Sequence, residues 1–181
     1  MLFRSDNCAA CHGAHAEGGK GFPDLRSASA AIWGRDPATI FETIRVGINS
    51  SHPQTRVSQM PDFGRDKLLK PEEIETVVDY VRSLSQPAPA NDISRTKIEN
   101  GKTVFANNCS PCHGMDAKGT PKLGAPNLTD NAWIYGGDMQ TIYTTVWDGR
   151  QGRMPTWEAR LSPVERKILT LYLVDLMSAN P

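Results

Sequence analysis

Two short stretches, Cys8-Ala9-Ala10-Cys11-His12 and Cys109-Ser110-Pro111-Cys112-His113, share one pattern and contain all four cysteines of this 181-residue chain. Two cysteines separated by two residues and followed at once by a histidine are typical of covalent c-type haem attachment. In each stretch the two thiols would form thioethers to the porphyrin, and the imidazole of His12 or His113 would take one axial position on the iron. The sequence therefore predicts two haem c groups.

A structural zinc site is the first alternative use of four cysteines. The two cysteine pairs of such a site are typically separated by about 15–20 residues, whereas Cys11 and Cys109 lie 98 residues apart (109 − 11). Two thioredoxin-like redox pairs would each need a βαβ context rich in Val and Ile before the first cysteine. Neither 3–7 nor 105–108 supplies one, so haem attachment is the stronger interpretation.

Charge and hydropathy give no indication of a nucleic acid partner or of a membrane-spanning segment in this sequence. The net charge is zero and nearly balanced in both halves, so nothing indicates a nucleic acid partner. No apolar run approaches the roughly 18 residues that cross a bilayer. Residues 1–6 leave no room for a signal peptide ahead of the first haem motif.

The chain contains an internal repeat. Residues 22–25 (Phe-Pro-Asp-Leu) correspond to residues 125–128 (Ala-Pro-Asn-Leu), and the order of the features around them is the same twice. A Pro/Ala stretch between the halves cannot form a helix and is typical of a semi-rigid spacer. We therefore predict a first domain over 1–86, a linker over 87–91 and a second domain over 92–181.

The predicted secondary structure is helical. Asp36 is a favourable N-cap before Pro37, and residues 138–149 repeat that helix. The last helix of each half has apolar or aromatic residues at i, i+3, i+4 and i+7, from Val77 and from Leu169. No run alternates as a strand would, so the predicted fold class is all-α, with a few helices wrapped around a haem in each domain.

A Met-Pro pair in each half is the candidate for the second axial ligand. A thioether raises the reduction potential of the iron, and the proline stiffens the loop that holds it. Met60 and Met154 each fall between the capped helix and the final helix of their own half, so each is predicted to serve the haem of that half. Core filling is the alternative for a single methionine. His15 and His52 are expected to face solvent in polar loops.

The Gly-X-Pro-X-Leu motif of each half is predicted to form the wall on the histidine side of the haem. A ligating histidine needs its second ring nitrogen hydrogen-bonded, and a proline offers only a carbonyl. We assign those carbonyls to Pro23 and Pro126, with Leu25 and Leu128 beside them. The alternative is that these prolines merely turn the chain.

Seven aromatic and arginine side chains could pack on the haems or pair with their propionates, although a surface or core role is equally open for each. They are Trp33, Tyr135, Trp147, Trp157, Arg56, Arg150 and Arg153.

The whole chain resembles the class I cytochrome c fold used twice. More narrowly, residues 44–49, 55–61, 125–130 and 148–155 resemble the dihaem subunit III of cbb3-type cytochrome c oxidases. That resemblance implies a periplasmic protein that passes electrons from a donor cytochrome c toward the membrane-embedded oxygen-reducing subunit, without substrate chemistry of its own. Members of this family are anchored by a transmembrane helix ahead of the first haem domain, and that anchor is missing here, so an N-terminal truncation is expected.

Two other functions remain open at this point. A soluble dihaem carrier, or the cytochrome subunit of a periplasmic dehydrogenase, would have the same fold. A dihaem peroxidase would need one iron with an open position, and two equivalent Met-Pro loops argue against it.

The helix that leads into Cys109 carries Gly101 and Phe105, and we expect it to pack on the final helix of the second half. The first half keeps only the end of the corresponding helix. We therefore expect Val77, Tyr80 and Val81 to be partly uncovered and the first domain to be the less stable one.

Overall fold

The computed structural model describes residues 7–27, 32–86 and 91–179, so residues 87–90 of the predicted linker lie outside the described part. These ranges form helices, loops and isolated β-bridges, and no strand is present within them. The all-α fold class is therefore confirmed. The helices are α1 (Ala9–His12), α2 (Pro37–Val46), α3 (Pro71–Ser85), α4 (Asp92–Asn108), α5 (Ser110–His113), α6 (Met139–Asp148) and α7 (Pro163–Ser178).

The long helices begin where their capping residues predict. The carboxylate of Asp36 accepts a hydrogen bond from the amide of Thr39 at 2.9 Å, and Asp138 does the same at the start of α6. Helix α7 begins with a full capping box between Ser162 and Glu165. Helix α3 keeps only half of such a box, because the Lys70 side chain cannot accept a hydrogen bond and only its amide is bound, by Glu73 at 2.8 Å.

The chain divides into two compact units, and each unit draws on both halves of the sequence. Unit 1 consists of Met1–Ser58, Pro121–Gly124 and Gly152–Pro181, and unit 2 consists of Gln59–Thr120 and Ala125–Gln151. The predicted division at 87–91 groups these segments differently. The chain thus exchanges its methionine loops and final helices between the two haem motifs.

In unit 2, the close approach of α3 and α4 builds the core. Gly101 of α4 lies against the backbone of Thr76 and leaves no room for a Cβ atom. The rings of Tyr80 and Phe105 pack beside this crossing, with centroids 5.3 Å apart. Helix α6 adds Ile142 and Val146 to the same core.

In unit 1, helices α2 and α7 pack together. Ile40 and Ile44 of α2 meet Leu169 and Met177 of α7, and Trp157 from the preceding loop completes the buried cluster. Met154 is partly buried against this cluster.

The packing predicted for α4 was wrong, because α4 packs on α3 rather than on α7. Val77 is fully buried and Val81 is 6% exposed, so the expected uncovered surface does not exist at these two residues, whereas Tyr80 is partly buried against the same core. In unit 1, Ile168 and Leu171 of α7 are exposed apolar side chains. The sequence could not distinguish these arrangements, since α3 and α7 present the same helical pattern.

Candidate haem sites

Each Cys-X-X-Cys-His motif folds into a single helical turn. The amide of His12 donates to the carbonyl of Cys8 at 2.9 Å, and that of His113 donates to Cys109 at 2.9 Å. Because residues i, i+3 and i+4 of a helix share one face, the two thiols and the imidazole of each motif lie on the same side of the turn. Gly13 ends the first turn with φ 79°, a conformation that favours glycine.

Both histidines are oriented by proline carbonyls, as the sequence predicted. Nδ1 of His12 lies 3.1 Å from the carbonyl oxygen of Pro23, and Nδ1 of His113 lies 3.0 Å from that of Pro126. A carbonyl can only accept, so Nδ1 carries the proton and Nε2 holds the lone pair that can bind a metal.

Burial also favours the neutral form of these imidazoles. It lowers the pKa of His12 and of His113 more than the hydrogen bond to the proline carbonyl raises it. A neutral imidazole is the form that binds a metal ion. Both imidazoles are therefore in the neutral, metal-binding form near pH 7.

The backbone amides of the two predicted leucines bind the Gly-X-Pro-X-Leu segment to the loop that follows each helical turn. The amide of Leu25 donates to the carbonyl of Ala16 at 2.8 Å, and the amide of Leu128 donates to Ala117 at 2.8 Å. Leu128 packs against the core of unit 2. These bonds hold Pro23 and Pro126 where their carbonyls meet the histidines.

None of the four cysteines, all of which lie in the described ranges, forms a disulfide. Cys11 and Cys112 are exposed, whereas Cys109 is buried in the core of unit 2. Burial, with a smaller contribution from Cys112, raises the pKa of Cys109 to about 11, so its thiol stays protonated at neutral pH. Within the described residues no three His, Cys, Asp or Glu side chains cluster as a metal-binding group.

The two Met-Pro loops lie in the units opposite to those predicted. Met154 belongs to unit 1, which contains His12, and Met60 belongs to unit 2, which contains His113. Met154 exchanges two backbone hydrogen bonds of 2.9 Å with Ile48, and Met60 exchanges bonds of 2.8 and 3.1 Å with Arg150. Each methionine is therefore paired with the loop that follows the capped helix of the other half.

The backbone after each methionine is bound to the same place on the neighbouring helix. The amide of Trp157 donates to the carbonyl of Ile44 at 3.2 Å, and the amide of Phe63 donates to Val146 at 3.2 Å. Glycine is required where the helix ends, because a Cβ on Gly47 would lie 2.5 Å from the carbonyl oxygen of Met154. The two units thus repeat one loop geometry with exchanged partners.

The histidines expected to face solvent differ from each other. His15 is exposed as predicted. His52 is not, because its side chain is only 10% exposed and Nε2 lies 2.8 Å from a carboxylate oxygen of Glu158. The sequence did not reveal this contact, since the two residues are far apart in the chain.

Arg56 packs over the ring of Trp33, with its guanidinium carbon 5.0 Å from the ring centroid, and donates from Nε to the hydroxyl of Thr43 at 2.9 Å. In unit 2, Arg150 packs over Tyr135 at 4.4 Å.

The hydroxyl of Thr145 accepts from Arg150 at 2.8 Å. Both threonines stand four positions before the glycine that ends their helix, and this spacing could have identified them in the sequence. Among the described residues, neither Arg56 nor Arg150 forms an ion pair with a carboxylate, so both can bind an added anionic group.

The three remaining aromatic and arginine candidates lie in a core or on the surface. Trp157 is buried in the core of unit 1, and Trp147 stacks on Tyr143 with centroids 5.8 Å apart. Arg153 is exposed.

The residues present fit haem c on three counts. Each motif brings two thiols and one oriented imidazole together, and a methionine lies against the core of each unit. In the described part of unit 2, the indole Nε1 of Trp133 is buried without an acceptor. A buried donor requires a partner, and a haem propionate is an acceptor of the right chemistry.

Comparison with family models agrees with this assignment in both halves. Residues 96–173 match the family model described as cytochrome c oxidase, cbb3-type, subunit III, and residues 1–85 match the cytochrome c model.

Several curated proteins are similar over most of the chain. A cbb3-type cytochrome c oxidase subunit FixP from Bradyrhizobium sp. (strain ORS 278) is 47% identical over 171 residues, covering 94% of this chain and 58% of the relative. The FixP subunit of Azorhizobium caulinodans is 46% identical over 95% of the chain and 57% of the relative. The CcoP subunit of Cereibacter sphaeroides is 41% identical over 97% and 59%. The chain therefore spans less than two thirds of the length of these relatives.

Proposed function

Because this chain belongs to the family of cytochrome c subunits of cbb3-type oxidases, we propose that it holds two haem c groups and transfers electrons between them. In this proposal the electrons come from a donor cytochrome c and pass toward the oxygen-reducing subunit of the oxidase. The observation that carries the proposal is the pair of identical turns, each with an imidazole oriented by a proline carbonyl.

The protein supplies attachment, orientation and shielding. The haem iron, when bound, supplies a one-electron redox couple. Cys8 and Cys11 would attach one haem, and Cys109 and Cys112 the other. The hydrogen bonds to Pro23 and Pro126 leave Nε2 of each histidine as the atom that would bind the iron, and they increase the basicity of that ligand.

For the second protein ligand of each haem, the division into units favours crossed pairs. His12 would act with Met154, and His113 with Met60, because each pair shares one compact unit. The backbone bonds of each methionine to Ile48 or Arg150 limit its movement. With a histidine and a methionine as its protein ligands, each haem would be left with outer-sphere electron transfer as its chemistry.

Arg56, Arg150 and Trp133 are the side chains that would bind the haem propionates. Two of them are cations stacked on aromatic rings, and the third is the buried donor without an acceptor. Positive charge near the propionates favours the ferrous state, since it offsets the charge of the added electron.

The named relatives favour an oxidase subunit over a dehydrogenase subunit or a peroxidase. We assign the protein to the periplasmic side of the bacterial inner membrane, in contact with the membrane subunits of the oxidase. In the described ranges no helix has the length and hydropathy of a membrane span. Attachment through a segment ahead of residue 1 stays a prediction.

Denaturing-gel haem staining and mass spectrometry test the cofactor content. The chain matured in a host that attaches haem c should carry two haems, and the double variants Cys8→Ser/Cys11→Ser and Cys109→Ser/Cys112→Ser should each carry one. A redox titration should then resolve two one-electron steps, and the reduced protein should be oxidised by the purified oxidase core that lacks this subunit. One haem per chain, or no electron transfer to the core, would overturn the proposal.

A further inference from the structure

An ionic cluster of unit 1 lies at the end of the Met154 loop. Glu158 stands four residues after Met154, and one of its carboxylate oxygens accepts a hydrogen bond from Nη1 of Arg45 at 2.8 Å. The other oxygen lies 2.8 Å from Nε2 of His52. The cluster therefore joins helix α2, the loop after it and the segment after Met154.

The cationic side of the cluster is more enclosed than an ordinary surface ion pair, whereas the Glu158 side chain is 43% exposed. The side chain of Arg45 is 20% exposed, and that of His52 is 10% exposed. The guanidinium of Arg45 also holds Glu42 at 2.7 Å and Gln54 at 2.6 Å. Several groups that share one arginine lose less conformational freedom per contact than an isolated pair, so such a network stabilises more than a lone surface pair does.

The contacts between Met154 and Glu158 form a continuous series on the end of α2. Met154 is bound to Ile48, the hydroxyl of Thr156 donates to the carbonyl of Arg45 at 2.6 Å, and the amide of Trp157 donates to Ile44. Glu158 is the last residue of this segment, and it is the only one of residues 154–158 with a charged side chain. The adjacent Arg45 and His52 lower the pKa of Glu158, so the carboxylate is ionised at neutral pH.

Unit 2 has no equivalent cluster within the described residues. The segment after Met60 repeats the backbone bonds, but its ionic contact is a single pair, Arg65 with Asp148 at 2.8 Å, in which the arginine is 64% and the aspartate 27% exposed. Such pairs contribute little. The two methionine loops thus differ in how firmly they are held.

We propose that Glu158 is a positioning residue that, through Arg45 and His52, holds the Met154 loop so that the thioether stays on the haem iron of unit 1. This inference rests on the proposed pairing of Met154 with His12. A methionine side chain is flexible and its bond to iron is weak, so the position of its loop decides how often the bond opens. In unit 2, the Met60 loop is held by its backbone hydrogen bonds instead.

The test uses the haem-loaded full chain and proton NMR of the reduced state, in which each ligating methionine methyl gives its own strongly shifted resonance. Met154→Ala and Met60→Ala assign the two resonances. In Glu158→Gln, which keeps the shape but removes the charge, the Met154 resonance should broaden or weaken, and carbon monoxide binding should rise severalfold. The Met60 resonance should stay unchanged, and Glu158→Asp should restore part of the Met154 signal.

Glu42→Gln is the matched control, because Glu42 binds the same arginine but does not contact the segment after Met154. It should leave the Met154 resonance intact. If Glu158→Gln also leaves it intact, or if both methionine resonances change together, Glu158 does not position Met154. If Met154→Ala removes no ligand resonance, the proposed ligation itself is wrong, which is a separate result.

Discussion

At the scale of single residues, Met154 and Met60 carry the strongest consequence of the structure. Each lies in the compact unit that contains the histidine of the other half. The methionines themselves could be selected from the sequence, because each precedes a proline at an equivalent point of the repeat. The histidine that shares a unit with each methionine could not be predicted, because a repeated sequence does not show whether a methionine lies beside the histidine of its own half or of the other half.

Crossed ligation predicts which haem is opened by each methionine variant. Met154→Ala should create carbon monoxide binding, because a vacant or water-bound iron accepts that ligand. The binding should disappear when Cys8 and Cys11 are also replaced by serine, and it should persist when Cys109 and Cys112 are replaced instead. The opposite dependence would show that each half uses its own methionine.

Arg150 should raise the reduction potential of the haem in unit 2. Replacing it with methionine removes a hydrogen-bonding cation beside the proposed propionate site and should cost the ferrous state about 1 kcal/mol, which is roughly 40 mV for one electron. Arg153→Met is the matched control, because Arg153 is exposed and lies three residues after Arg150. In this variant the reduction potential of the haem in unit 2 should not change. Equal shifts in both variants would indicate only a general effect of net charge.

Among the site residues, those within one local motif were predictable. The carbonyls of Pro23 and Pro126 could be assigned because a histidine ligand needs an acceptor and a proline can be only that. The equivalence of Arg56 and Arg150 was not predictable in the same way. Arg150 follows its helix-ending glycine directly, whereas a loop separates Arg56 from Gly47, and only the folded chain brings both guanidiniums to the same threonine position.

At the scale of helices, the crossing of α3 and α4 depends on Gly101. Helix positions and ends followed from capping residues and apolar spacing, as Asp36, Asp138 and Ser162 illustrate. The partner of each helix did not follow, because an apolar face specifies that a helix is covered but not by which neighbour. This is why α4 was predicted to pack on α7.

Gly101→Val should destabilise unit 2 by about 1–3 kcal/mol, because the new side chain would collide with the backbone of Thr76. Denaturant titration followed at the haem of unit 2 would measure the loss as a lower midpoint. Gly19→Ala is the control, since no atom lies within 4 Å of a Cβ built there, and its midpoint should stay within error of the parent. A tolerated valine would mean that the helices can separate without cost.

At the scale of the whole molecule, both compact units are assembled from both halves of the chain. The predicted boundary at 87–91 separates two repeats that match family models over 1–85 and 96–173. It follows the repeats of the sequence, because each repeat carries one full set of motifs. The folded units follow the contacts instead, and those contacts are absent from any one-dimensional pattern.

Cutting the chain within 87–90 should therefore leave one particle. A protease site placed there and cleaved after folding should produce two fragments that co-elute on size exclusion and keep both methionine ligand resonances, because every unit needs segments from both fragments. Two separate peaks, each with its own low-spin haem, would contradict the exchange. The uncleaved protein with the same insertion is the control for damage by the insertion itself.

The exchanged loops also impose an order on the making of this protein. A chain is synthesised from its amino end, so His12 and its cysteines emerge first, whereas Met154 emerges close to the end. In the proposed pairing, the haem of the first motif would therefore receive its methionine last, whereas Met60 is made well before the histidine that it would accompany. Until Met154 is in place, that haem would lack its second protein ligand and would stay open to small molecules.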